Sequence, residues 1–143
     1  MQGEVSTARL YLLRFVYLLT AVLVGAGAWP EVIRHSDNPG DLIGGIAFSI
    51  YSAYSVLMLL GILIPLRMLP LVLFQLFYKS IWIAIIGVPQ WHSGHFDAIR
   101  GTIEFFTVIV VLDLIAVPWP YVFRHYVLGA GELEKPPADT ISA

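Results

Sequence analysis

Four long apolar segments, separated by short polar or proline-containing stretches, dominate the pattern of hydrophobic and polar positions along the chain. They cover approximately residues 10–29, 42–64, 70–88 and 102–117. A helix needs about 20 mostly apolar residues to cross the hydrocarbon core of a bilayer, and each segment is close to that length. The pattern therefore predicts an all-α fold, an antiparallel bundle of four transmembrane helices. Residues 1–143 would form a single membrane domain, with 129–143 as a loose tail.

Proline, tryptophan and turn-forming residues mark the predicted ends of these helices. Trp29 and Pro30 should end the first helix at a membrane interface, and Asp41 is placed to cap the second. A short turn at 65–69 predicts a tight antiparallel hairpin of the second and third helices. Pro118 should stop or kink the fourth helix, and 90–101 should form a polar loop before it.

Small side chains recur at three- and four-residue spacing on the first two helices, which lets helix backbones approach closely inside a membrane. We therefore expect small-residue packing between these two helices. The residues concerned are Ala21, Gly25 and Ala28 on the first helix and Gly45, Ser49 and Ala53 on the second.

Composition agrees with a membrane protein and excludes several other classes. Of 143 residues, 58% are hydrophobic and only 13% are charged, too few charges to solvate a soluble domain of this size. The net charge of −2 argues against a nucleic-acid-binding surface. The absence of cysteine excludes thiol nucleophiles, iron–sulfur clusters and c-type haem attachment. Ala26-Gly27-Ala28 resembles a signal-peptidase site, but we expect the first segment to remain as a span.

Basic residues are distributed unevenly between the two ends of the predicted bundle. Four spans place both termini and the 65–69 turn on one side, and the positive-inside rule assigns that side to the cytoplasm. The basic residues on that side are Arg9, Arg14, Arg67, Arg124 and Lys135, against Arg34 and Arg100 on the other.

Lys79 lies near the middle of the third apolar segment, where a lysine costs about 2.5–3.5 kcal/mol on insertion scales. Gln75 shares its helical face at i−4. On the fourth helix, Asp113 lies at a depth that differs from that of Lys79 by only ~4–5 Å, at ~1.5 Å per residue. Arg14 could approach Asp113 from the cytoplasmic side. These residues predict a buried polar site, which either binds or transfers something or only fixes the helix register.

The outer loops contain a weaker set of candidates. Arg100 and Glu104 are spaced i, i+4 and predict an interfacial ion pair. His92, His95 and Asp97 could supply metal ligands, together with His35, Asp37 and Asp41 from the other outer loop, but Gly94 interrupts the spacing. Bis-histidine haem is not expected, because no histidine lies at mid-membrane.

Motifs typical of enzymes are missing from the sequence. It contains no G-x-x-x-x-G-K-[ST], no G-x-S-x-G and no H-E-x-x-H, and no histidine lies near Ser49, Ser52 or Ser55 to activate a nucleophile. Catalysis therefore has no positive support, and no cofactor is expected.

Three stretches resemble a known group of proteins: YLLRFVYLL at 11–19, PLRMLPLVLFQLFYKSIW at 65–82 and VPWPYVFRHYV at 117–127. They are similar to small, uncharacterised bacterial four-helix integral membrane proteins, and in size and span number the chain is DoxX-like. The resemblance implies four helices in a bacterial inner membrane and implies no substrate.

Three functional hypotheses follow. The first is a small binding or transport-type membrane protein that uses Lys79, Asp113, Gln75 and Arg14, with a homo-oligomer needed for a complete permeation path. The second is a structural or accessory subunit in which the same residues hold the helices in register. The third, ranked last, is a membrane enzyme with a histidine metal site in its outer loops. The lipid bilayer is the expected partner in each case, and the ligand is unknown.

Overall fold

A computed structural model describes residues 5–35 and 40–129 of the chain, and in these ranges every regular element is helical. The all-α class is therefore confirmed. The elements are α1 (Thr7–His35), α2 (Leu42–Leu63), α3 (Leu69–Trp82), a π-helical turn (Ile83–Gly87), α4 (Val88–His92), α5 (Phe96–Ala116), α6 (Trp119–Val122) and a second π-helical turn (Phe123–Leu128). Asp37 and the predicted tail beyond Gly129 lie outside the described residues.

Three helices are long and apolar enough to cross a membrane: α1, α2 and the continuous helix Leu69–His92. A fourth crossing is available if α5 and the segment Trp119–Leu128, bent by 73° relative to each other, are one span. Many large side chains on these helices are exposed, such as Ile43 at 83% and Leu63 at 73%. Surfaces of this kind are stable in hydrocarbon rather than in water, so the fold is that of a membrane-associated protein.

The first helix continues past Pro30 to His35 instead of ending at Trp29, as the sequence predicted. A proline removes one backbone hydrogen bond, and local contacts beyond it support the extra turn. Arg34 pairs with Glu31, and the ring Nδ1 of His35 donates to the Glu31 carbonyl at 2.8 Å. The prediction was wrong here because these contacts stabilise the turn that follows Pro30.

Asp41 caps α2 as predicted, since its Oδ1 accepts the backbone N–H of Gly44 at 2.9 Å. Its Oδ2 lies 3.1 Å from Nε2 of His35. The Gly44 hydrogen bond and the nearby imidazole hold the pKa of Asp41 below its ordinary value. The capped start of α2 is thus joined to the end of α1.

The third helix extends to His92, beyond the predicted end at residue 88, by means of the π-helical turn Ile83–Gly87. In this turn the N–H of Val88 donates to the carbonyl of Ile83, five residues earlier. Pro89 follows directly and offers no N–H, so a locally wider turn accommodates it without ending the helix.

The predicted polar loop 90–101 is much shorter in the structure, because α5 begins at Phe96 rather than at residue 102. Only 93–95 separate the helices, and Gly94 adopts a left-handed φ of +81° there. Asp97 in the first turn of α5 and the pair of Arg100 with Glu104, at 2.8 Å, both favour the helix. Polarity alone was therefore a poor indicator of the loop.

The hydrophobic core is one cluster to which α1, α2, α3 and the C-terminal end of α5 contribute, and the closest helix contacts are those of α1 with α2 and of α3 with α5. Ala21 and Ala28 of α1 are buried as expected, but Ser49 and Ala53 of α2 are exposed. The buried residues of α2 are instead Ser52, Tyr54, Ser55, Met58 and Gly61. The predicted Gly45–Ser49–Ala53 face is therefore not the buried face of α2. Small residues still meet between α1 and α2, since a Cβ added to Gly25 would lie 3.3 Å from Oγ of Ser55.

Candidate functional site

Lys79, Gln75 and Asp113 are completely buried, each with 0% of its surface exposed, and they form one hydrogen-bonded network. The α3 helix places Gln75 and Lys79 one turn apart, and α5 packs against this face with Asp113 near its C-terminal end. The network therefore connects the two helices at a depth where each polar group needs a partner.

Gln75 is the central member of the network. Its Nε2 donates to both carboxylate oxygens of Asp113, at 3.0 and 2.9 Å. Its Oε1 accepts from Nζ of Lys79 at 2.9 Å and from the hydroxyl of Tyr54 at 3.0 Å. No ion pair within 4.0 Å joins Lys79 to Asp113 in the described part of the chain, so the glutamine lies between the two charges that the sequence analysis paired.

Aromatic rings surround the rest of the Lys79 ammonium. Its Nζ lies 4.8 Å from the centroid of the Tyr78 ring, 5.4 Å from that of Phe106 and 5.8 Å from that of Phe105. A desolvated ammonium at such distances is stabilised by the electron-rich ring faces. Sequence analysis missed the role of these rings, although Phe105 and Phe106 lie two turns before Asp113 on the same helix.

Arg14 is separate from this network. Its Nε is buried and has no hydrogen-bond partner among the described residues, and its guanidinium carbon lies 5.8 Å from the ring centroid of Tyr11, on its own helix. The structure thus brings together three of the four predicted site residues, and adds Tyr54.

The outer-loop candidates do not assemble into one site. Within residues 5–35 and 40–129, no group of three His, Asp or Glu side chains is arranged to hold a metal ion. His95 contacts the Ser93 hydroxyl at 3.0 Å, and the ring of His92 stacks on Trp91. Asp97 lies in the first turn of α5. Arg100 and Glu104 form an exposed surface pair, which contributes little to stability.

A cavity of about 480 Å³, open on one side to the surroundings of the protein, lies beside the polar network. We call it the aromatic cavity, because five aromatic side chains line it. Three of these, Tyr78, Phe105 and Phe106, are the rings that surround the Lys79 ammonium. Its volume is in the range of small-molecule sites. The lining residues are Leu23, Val24, Gly27, Ala28, Phe48, Tyr51, Tyr78, Gly101, Thr102, Phe105 and Phe106.

Fold and site together define an all-helical protein with three or four helices able to cross a membrane, and with a buried Lys–Gln–Asp network. No protein-family model, no curated protein and no solved structure matches the chain.

Proposed function

We propose that the chain is an integral membrane protein that binds a small lipid-soluble molecule in the aromatic cavity. The proposed topology has four antiparallel spans in a bacterial inner membrane, with both termini in the cytoplasm. The composition of the cavity lining supports this topology. The lining comes from the C-terminal half of α1, the N-terminal halves of α2 and α5 and the middle of Leu69–His92, which is an arrangement expected towards one end of an up-and-down bundle.

One observation carries the proposal: the rings that enclose the buried ammonium also line the aromatic cavity. Tyr78, Phe105 and Phe106 contact Lys79 on one side and the cavity on the other. The network with Gln75 and Asp113 therefore fixes the helices that carry these rings. A pre-formed cavity of this kind reduces the ordering cost of ligand binding.

We propose binding rather than transport because the polar network is closed. Lys79, Gln75 and Asp113 have no exposed surface, so within one chain no polar path leads through them. A permeation path would require a second copy of the chain or a large movement of α3 relative to α5.

Glycines in the lining allow a direct test. A Cβ added at Gly27 or at Gly101 meets no atom within 4 Å, so larger side chains there can fill the cavity without a backbone clash. We expect the variant G27L/G101L to fold and to lose the bound molecule. The matched control is Ala26→Leu, an exposed neighbour that does not line the cavity.

The measurement is mass spectrometry of the small molecules extracted by organic solvent from purified protein. We expect one compound in near-stoichiometric amount from the wild type and from A26L, and at least fivefold less from G27L/G101L. Equal amounts from all three proteins, or no compound from any of them, would contradict the binding function.

The second candidate is a structural or accessory subunit, and the closed network favours it. Each network residue finds its partner inside the chain, which is what register-fixing residues require. This reading predicts that filling the cavity has no effect beyond stability, so the same experiment separates the two candidates.

A further inference from the structure

Three hydroxyl groups in the aromatic cavity have no hydrogen-bond partner. Tyr51, Tyr78 and Thr102 line the cavity, and none of their hydroxyls makes a hydrogen bond within the described residues. Several other hydroxyls in the long helices are paired. Tyr17, Ser49 and Thr107, for example, donate to backbone carbonyls at 2.7–2.8 Å.

Unpaired hydroxyls are costly in hydrocarbon, because no water is present to replace a missing partner. Thr20 and Ser52 also lack partners, but their oxygens are sealed inside helix packing and face no part of this cavity. The three cavity hydroxyls differ because they border open space, where a bound molecule could supply the missing hydrogen bonds. An apolar cavity with a few convergent polar groups is the usual form of a small-molecule site.

The other lining residues determine what shape of molecule fits. Tyr51 and Tyr78 lie with their ring centroids 6.2 Å apart, and Phe106 meets Tyr78 edge-on at 6.0 Å. Aromatic rings arranged in this way offer both faces and edges to another flat ring. A flexible acyl chain would gain less from these contacts and would leave all three hydroxyls unpaired.

The charges near the cavity restrict the class of possible ligands further. Lys79 is fully buried behind the rings and already donates to Gln75, and none of the described residues that line the cavity carries a charge. An anionic or cationic ligand would therefore be desolvated without a counter-charge. The polar contacts that remain are hydroxyl donors and acceptors.

We infer that the aromatic cavity binds a flat, uncharged aromatic compound that carries a hydrogen-bonding oxygen, such as a phenol or an aromatic ketone, through Tyr51, Tyr78 and Thr102. This inference rests on the proposed binding function and names its ligand class. The two tyrosines supply both ring contact and hydrogen bonds, and Thr102 reaches the ligand from α5.

The test uses three probes: 2-naphthol, naphthalene and 1-decanol. Each is equilibrated by dialysis between detergent micelles that contain the protein and identical empty micelles, so that simple partitioning into detergent cancels. We expect 2-naphthol to bind the wild type at least tenfold more tightly than either naphthalene or 1-decanol. The variant Y51F/Y78F keeps both rings and should lose most of this preference, and T102V should lose part of it.

Tyr11→Phe is the matched control, because Tyr11 is 64% exposed and lies outside the cavity. It should leave 2-naphthol binding unchanged. Equal binding of 2-naphthol and naphthalene, both abolished in G27L/G101L, would overturn the ligand class and leave the binding function standing. Preferential binding of 1-decanol would indicate an acyl-chain site and would overturn the class as well. If none of the three probes shows protein-dependent binding, both the ligand class and the binding function are overturned.

Discussion

At the scale of single residues, Gln75 decides whether two opposite charges can remain inside the bundle. A side-chain amide is both donor and acceptor, and here its nitrogen faces the Asp113 carboxylate while its oxygen faces the Lys79 ammonium. Lysine has no acceptor and aspartate no donor, so a single amide orientation satisfies both. A side chain that lacks either function leaves one charge without its hydrogen bond.

We predict that Gln75→Leu is more destabilising than Lys79→Met. The leucine leaves both charged groups buried without their hydrogen bonds to residue 75, whereas after Lys79→Met the carboxylate still accepts from the Gln75 amide. Breaking a buried ionic network costs about 3–5 kcal/mol in soluble proteins, and hydrogen bonds in membranes are weaker. We therefore expect Gln75→Leu to lower the free energy of unfolding by about 2–3 kcal/mol. Thermal unfolding in detergent, followed by circular dichroism, measures the difference.

The same substitution at the exposed Gln90 is the control and should leave the unfolding temperature unchanged. The triple variant Q75L/K79M/D113L removes both charges together with their bridge and should recover most of the stability lost in Q75L. If the triple variant is less stable than Q75L, the three residues do not act as a compensated unit.

At the scale of helices, the contact between α1 and α2 depends on an aromatic ring that lies against a glycine. A Cβ added to Gly61 would overlap three atoms of the Tyr17 ring. Tyr17 cannot easily move away, because it is fully buried and its hydroxyl donates to the Pro65 carbonyl at 2.8 Å. The ring thus connects α1 to both α2 and the turn that follows it.

We predict that Gly61→Ala destabilises the protein by about 1–3 kcal/mol, the usual cost of overpacking a filled core. Gly27→Ala makes the same chemical change on α1, where a Cβ meets no atom within 4 Å, and should be neutral. Chemical unfolding in mixed micelles with increasing sodium dodecyl sulfate compares the two. Similar midpoints for both variants would mean that the Tyr17 ring and Gly61 are not in close contact.

Helices were more predictable from the sequence than their ends and faces. Apolar length alone identified the four long segments, because a membrane requires that length whatever the packing. The end of α1 was missed because contacts of Glu31 with Arg34 and His35 extend it past Pro30. The buried face of α2 was missed because it mixes small residues with the large Tyr54 and Met58, so small-residue spacing alone did not indicate it.

At the scale of the whole molecule, sequence could identify the residues of the polar network but not the cavity beside it. Depth counting brought Lys79 near Asp113, since both positions follow from helix rise. Which atoms meet depends on helix rotation and rotamers, so the glutamine bridge was not predictable. The cavity depends on where four helices leave space, and Gly27 and Gly101 showed nothing unusual in sequence.

The remaining question at this scale is whether the bent pair of α5 and Trp119–Leu128 completes a fourth crossing. With 21 residues at about 1.5 Å each, α5 is about 30 Å long, close to the hydrocarbon thickness, but by length and composition it qualifies as a span only together with Trp119–Leu128. The bend of 73° would then direct α6 along the interface, where Trp119, Tyr121 and Tyr126 are typical anchors.

Because the chain contains no cysteine, single cysteines introduced at Thr7, His92 and Leu128 report their own side of the membrane without background. We predict that a membrane-impermeant maleimide labels His92→Cys in intact bacterial spheroplasts, and labels Thr7→Cys and Leu128→Cys only after lysis. Thr7 and Leu128 share a side only if the chain crosses an even number of times, and α1, α2 and Leu69–His92 are long and apolar enough for three crossings. Labelling of Leu128→Cys together with His92→Cys would mean that α5 returns to the side from which it started. The aromatic cavity would then lack its fourth transmembrane wall, and the binding function would lose its structural basis.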